Sequence, residues 1–126
     1  MLAAKDAVAT IAVADLDRAR AFYGETLGLM EAEGGMEDMV ATFRSGGSDL
    51  LVYKSEYAGT NQATAVTWTV DDVFEEVEAL KAKGIRFESY DMPDARKEGD
   101  VYVFGDIRNA WFKDPDGNIL SLVSVG

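Results

Sequence analysis

Ala7-Val8-Ala9-Thr10-Ile11-Ala12-Val13 runs into Ala14-Asp15-Leu16-Asp17, and the same plan returns in Thr64-Ala65-Val66-Thr67-Trp68-Thr69-Val70, which runs into Asp71-Asp72-Val73. Each opening run is short and rich in β-branched residues, which predicts a strand. Asp15 and Asp72 then stand where a helix N-cap is expected, and Glu75 completes a capping-box-like pair with Asp72. Leu16, Ala19, Ala21, Phe22, Tyr23 and Leu27 form a helical stripe that stops at Gly28. Val73, Val77 and Leu80 form the second stripe, which stops at Gly84. Strand-like runs follow each helix: about 29–33, 39–44 and 49–54 in the first half, and about 86–91, 109–113 and 119–125 in the second. The last hairpins match as well, Phe43-Arg44-Ser45-Gly46-Gly47-Ser48-Asp49-Leu50-Leu51 against Phe112-Lys113-Asp114-Pro115-Asp116-Gly117-Asn118-Ile119-Leu120. A duplicated strand–helix–strands module follows, with polar Ser55 to Gln62 as the link.

Composition narrows the chemistry. The 126 residues include no histidine and no cysteine. An imidazole relay, a facial iron triad, structural zinc, disulfides and iron–sulfur clusters are therefore excluded. A metal would have to be a hard ion held by oxygen. The net charge of −11 argues against nucleic acid and anionic membrane surfaces, which need a basic face. It favours a cationic small ligand or a basic protein patch, or simply keeps the protein in solution. No stretch reaches the roughly 18 apolar residues of a membrane span. Met1 to Val13 lacks the basic end and long apolar run of a signal peptide, so a cytoplasmic location is expected.

The segment Val13-Ala14-Asp15-Leu16-Asp17-Arg18-Ala19-Arg20-Ala21-Phe22-Tyr23, with Leu27-Gly28-Leu29, resembles the opening of the vicinal oxygen chelate superfamily. This is the glyoxalase, bleomycin-resistance protein and extradiol dioxygenase group. Trp111-Phe112-Lys113-Asp114-Pro115-Asp116-Gly117-Asn118-Ile119-Leu120 resembles its closing strand pair. The resemblance runs from about Ala7 to Val125. It implies an α+β fold of two βαβββ modules, about 7–54 and 64–125 of a single domain 1–126. Their curled mixed sheets surround a cup, with one helix behind each. In the family's metalloenzymes four ligands point into the cup. The matching positions here are Val8, Leu51, Ala65 and Ser121, which offer at most one weak ligand. The resemblance therefore implies a metal-free member of the bleomycin-resistance type, with no metal and no cofactor.

Strand alternation then assigns the cup surface. Val8, Thr10 and Ala12 face it from the first strand; Ala65, Thr67 and Thr69 from the fifth; Asp49, Leu51 and Tyr53 from the fourth; and Ile119, Ser121 and Val123 from the last. The resemblance implies Trp111 near the cup rim, and Phe104 is a further candidate ligand contact. An apolar surface with scattered hydroxyls suits a ligand pocket. Trp68, Phe22 and Tyr23 are expected in the core, and the acidic runs Glu31 to Asp38 and Glu75 to Glu78 in solvent. Asp49 is open to two readings, a cup carboxylate that pairs with a cation or a rim residue held by water, and Tyr53 is similar. The segment from Met92 to Arg108 is long and polar. Within it Val101-Tyr102-Val103-Phe104 reads as a short extra strand, as a flap over the cup, or as a loop packed on its own edge.

Three functions fit. One is a metal-independent binding protein that sequesters a small organic molecule, cationic or aromatic, as bleomycin-resistance proteins do. Another is a metal-independent lyase or isomerase on a small carbonyl compound, with Asp49 and Tyr53 as its acid–base candidates. The third is a non-catalytic dimeric module serving a partner protein. A homodimer is expected, because the resemblance implies incomplete cups with sheet edges to cover.

Overall fold

The computed structural model describes residues 1–33 and 39–125. The expected acidic run therefore lies outside the described residues from Gly34 to Asp38. Two compact units emerge, Met1–Thr60 and Asn61–Gly126.

In the first unit β1 (Ala9–Val13) leads through Asp15 into α1 (Leu16–Arg20). The Asp15 carboxylate accepts from the backbone N–H groups of Asp17 and Arg18 at 2.9 and 3.2 Å, satisfying two of the helix's orphan donors. The single expected α-helix is instead one α turn and a π-helical continuation, Ala21–Thr26. The Leu27 N–H accordingly reaches back to the Phe22 carbonyl at 2.9 Å. The wider turn lets two consecutive aromatic residues face inward. Tyr23 is 0% exposed and Phe22 9%, and Tyr23 also meets Phe43 at 6.0 Å between ring centres. The strands β2 (Met30–Glu31), β3 (Val40–Ser45) and β4 (Ser48–Lys54) complete a sheet ordered β1-β4-β3-β2. β1 lies parallel to β4, and β3 and β4 form an antiparallel hairpin. Alternation is clean: Ile11, Val13, Leu50 and Val52 are buried, while Thr10 and Tyr53 are exposed.

In the second unit β5 (Thr64–Thr69) leads through Asp72 into α2 (Val73–Ala82). Asp72 accepts from the N–H groups of Phe74 and Glu75 at 3.0 and 3.4 Å. Ser124 accepts from the Val73 N–H at 3.3 Å, so the last strand also caps the helix. Gly84, at φ 93°, ends it in a left-handed turn, with the Ile85 N–H on the Leu80 carbonyl. The strands β6 (Arg96–Glu98), β7 (Val101–Phe104), β8 (Ile107–Lys113) and β9 (Ile119–Val125) follow, and the sheet is ordered β5-β9-β8-β7-β6. α2 packs on β7, β8 and β9. Beneath it Val73, Val77, Ala110, Phe112, Leu120 and Leu122 are buried, and Trp68 stacks on Phe112 at 6.4 Å.

Two expectations change here. The strand expected over 86–91 is reduced to one bridge, Phe87 with Phe112, and one bond from the Glu88 N–H to the Trp111 carbonyl at 2.7 Å. The reason is that β7 takes the other half of the same edge of β8, pairing Tyr102 with Asn109 and Phe104 with Ile107. The 101–104 segment is thus the extra strand, with β6 hairpinned outside it.

The β8–β9 connection is held by a buried carboxylate. Asp114 is 5% exposed. Its side chain accepts from the Asp116 and Asn118 N–H groups at 3.0 and 2.9 Å and from the Asn118 amide at 2.8 Å. Gly117, at φ 92°, closes the turn between them. Asp114→Ala should lower unfolding stability by about 2 kcal/mol, since it orphans several buried donors. Urea denaturation followed by circular dichroism measures this, and a loss within error would show that the turn holds without the carboxylate.

Candidate functional site

Each sheet buries one face under its helix and leaves the other open. On the open face of the first unit the register sets Thr10 beside Leu51 and Ala12 beside Tyr53. Thr42 lies on the other side of Leu51, and Arg44 opposite Asp49. Arg44 donates to Asp49 at 2.9 Å. The carboxylate singled out as a cation partner is thus matched by a guanidinium of its own hairpin. That pair was legible in principle, because a tight turn at Gly46-Gly47 sets Arg44 and Asp49 across from each other.

The open face of the second unit is richer. Thr67, Ser121 and Trp111 form one row across β5, β9 and β8, and Thr69, Val123, Asn109 and Tyr102 form the next. Thr67 and Ser121 share a hydrogen bond of 2.6 Å, in which either hydroxyl donates. The Trp111 indole N–H donates to the Thr64 hydroxyl at 3.2 Å. Two tyrosines flank the indole edge-on, Tyr90 at 5.6 Å and Tyr102 at 5.5 Å between ring centres. The Tyr102 hydroxyl accepts from the Tyr90 N–H and donates to the Tyr90 carbonyl at 2.9 Å. This clasp fixes the irregular segment against β7. Lys97 lies over the Tyr102 ring at 5.6 Å and donates to Ser89 at 2.7 Å. Lys113 pairs with Glu88 at 3.2 Å. Burial, and next the charge of Glu88, push the Tyr90 phenol above its ordinary value, with Lys113 opposing.

Of the residues expected at a site, the structure brings Thr67, Ser121 and Trp111 together, with Thr69 in the adjoining row. Phe104 lies further along this face beside Ile107, at the end away from Trp111. Thr10, Asp49, Leu51 and Tyr53 share the first unit's open face. Sequence reading missed Tyr90, Tyr102 and Asn109. Tyr90 sat in an expected strand and Tyr102 in an apolar run, and only the register of β7 on β8 sets Tyr102 beside Asn109. A cavity of about 350 Å³ lies elsewhere, at the start of α2, lined by Asp71, Asp72, Phe74, Arg108, Ser124 and Val125. It shares none of the aromatic residues.

The positions that would correspond to metal ligands do not fit a transition metal. Val8, Leu51 and Ala65 carry no donor, and the Ser121 hydroxyl, in a side chain 2% exposed, is engaged by Thr67. Among the described residues no three carboxylates gather to replace them.

Comparison with known proteins bears on this arrangement. No curated protein sequence matches the chain. Solved structures do. The glyoxalase family protein from Enterococcus faecalis has a TM-score of 0.73 at 19% identity, over 98% of this chain and 99% of that one. The fosfomycin resistance protein FosX from Listeria monocytogenes scores 0.71 at 18% identity, over 98% and 94%. The lactoylglutathione lyase from Agrobacterium tumefaciens scores 0.68 at 18% identity, over 96% and 93%. At these identities the likeness is one of fold. A sequence model of the Glyoxalase/Bleomycin resistance protein/Dioxygenase superfamily matches residues 6–122. With a family match over nearly its whole length, on a fold these structures share, the chain belongs to the Glyoxalase/Bleomycin resistance protein/Dioxygenase superfamily.

Proposed function

We propose that this protein binds a small planar organic molecule on the open face of its second unit, without a metal, in the manner of bleomycin-resistance-type sequestration. The observation that carries this reading is the aromatic corner of Trp111, Tyr90 and Tyr102 beside the Thr67–Ser121 pair. Aromatic walls with a few fixed polar groups are what a small-molecule site needs. The charges around the open faces are already matched, Arg44 with Asp49 and Lys113 with Glu88, and Lys97 already covers Tyr102. That favours a neutral planar body over the cation that net charge alone suggests. Thr69 and Phe104 of the same face belong to this reading as secondary ligand-facing residues, while Thr10, Leu51 and Tyr53 line the first unit's own open face.

A metal-independent lyase or isomerase on a carbonyl compound would draw its proton from the Tyr90 hydroxyl, which burial and Glu88 hold above its ordinary pKa and so make a weaker acid. It lacks a base. Asp49 is held by Arg44, and Tyr53 is exposed. The binding reading also takes the protein as a cytoplasmic homodimer. No described helix is long and apolar enough to cross a membrane. Each sheet ends in one longer edge strand, β1 or β5, that a second copy can cover.

Tryptophan fluorescence against a panel of planar bicyclic and tricyclic compounds should report micromolar binding. Trp111→Ala should weaken it about tenfold or more, and Asp49→Asn should change it less than twofold. Unchanged affinity in Trp111→Ala would move the site elsewhere. Metal analysis of tag-free protein should find far less than one nickel, zinc or iron per chain, and near-stoichiometric metal would overturn the metal-independent reading. Light scattering at micromolar concentration should give about twice 13.7 kDa. A monomer at every concentration would remove the dimer.

A further inference from the structure

Two side-chain atoms in the second unit are buried without a hydrogen-bond partner among the described residues, the Tyr90 hydroxyl and the Asn109 Oδ1. Leaving a buried polar group unpaired costs more than a made bond contributes, so each such group calls for an explanation. Both border the same aromatic floor. Asn109 and Trp111 alternate along one face of β8, Asn109 is paired across the strands with Tyr102, and the Tyr90 ring stands on Trp111. Polar neighbours are occupied. Trp111 donates to Thr64, Thr67 bonds Ser121, the Tyr102 hydroxyl is bonded twice to the Tyr90 peptide, Lys97 donates to Ser89, and Lys113 pairs with Glu88. Among the buried side-chain atoms of the described residues, what remains over is one hydroxyl donor and one amide acceptor.

We propose, resting on the reading of this face as the ligand site, that Tyr90 and Asn109 set its specificity: the ligand is a planar amide or lactam whose carbonyl accepts from the Tyr90 hydroxyl and whose N–H donates to the Asn109 Oδ1. A protonated phenol suits the donor role, and burial together with Glu88 keeps it protonated. Entry is by rotation of the Tyr90 side chain about its own bonds. Its backbone stays clasped by Tyr102, and among the described residues the segment has no strand partner beyond Phe87 and Glu88. The ligand then replaces two unmade bonds with two made ones, and a planar molecule lacking either group leaves one of them unmade.

The test is isothermal titration calorimetry with three probes: carbostyril, a bicyclic lactam; N-methylcarbostyril, which keeps the carbonyl and loses the N–H; and N-methylindole, which has neither. The full chain should bind carbostyril about tenfold more tightly than its N-methyl derivative. Asn109→Leu should erase that difference. Tyr90→Phe should weaken both lactams about tenfold and leave N-methylindole unchanged. Tyr90→Phe alone should melt at the same temperature or higher, because it removes an unsatisfied group and keeps the ring; a marked fall in melting temperature would show that the hydroxyl holds the fold and would overturn the proposal. If all three probes bind and depend on Trp111, yet neither variant changes their order, the polar pair is wrong while the aromatic site stands. If Trp111→Ala changes nothing, or no probe binds, both readings fall.

Discussion

In each unit the first strand lies parallel to the last, β1 against β4 and β5 against β9. The rest follows from that pairing. Parallel neighbours cannot be joined by a tight turn, so a long stretch of chain separates them, and it carries the helix that Asp15 or Asp72 starts as well as the antiparallel strands of the sheet. The helix covers one face of the sheet. Period-two alternation then divides every strand into residues that hold the fold and residues that are free of it. Ile11, Val13, Leu50 and Val52 are spent on the core of the first unit, and Phe112, Leu120 and Leu122 on that of the second. Thr10, Leu51, Thr67, Ser121 and Trp111 are on the other face because their neighbours are not.

Local signals carried most of this into the sequence. The caps bind as their positions imply, and the Asp-Pro-Asp-Gly-Asn turn closes on its own aspartate. In the helix stripe of the first unit Leu16, Ala19, Phe22 and Tyr23 are buried as expected, whereas Ala21 is exposed and Leu27 only half-buried. That its second half widens to a π turn was not legible, since consecutive Phe22 and Tyr23 fit a stripe of either pitch. The 86–104 region was the least legible, because its arrangement depends on competition for one edge of β8. Nothing local says that Phe87 takes one half of that edge and β7 the other. The site inherits that uncertainty. Trp111 lies on a regular strand, in one row with Thr67 and Ser121, whereas the positions of Tyr90 and Tyr102 depend on the contested edge.

That competition has a chemical result. A regular strand over 86–91 would bond its own backbone to β8 and β7. The chain instead leaves the edge after Glu88, and the Tyr102 hydroxyl takes both backbone groups of Tyr90. Tyr102 is therefore 2% exposed, as buried as Ser121 in the neighbouring row. Its ring is committed to Lys97 on one side and Trp111 on the other. Tyr102 works as a structural post, and Tyr90 is the aromatic side chain of the corner whose hydroxyl is left over.

The charges point the same way. A net charge of −11 suggests a cationic partner when it is read as a sum. Read by position, the carboxylates near the open faces have partners: Asp49 has Arg44, and Glu88 has Lys113. A cation entering the second unit's corner would meet Lys97 at Tyr102, and Glu88 beside it is already paired with Lys113. A neutral planar molecule meets no such penalty and gains the full aromatic contact. On the proposed reading, the ligand face of the second unit selects by shape and by hydrogen bonds rather than by the net acidic charge.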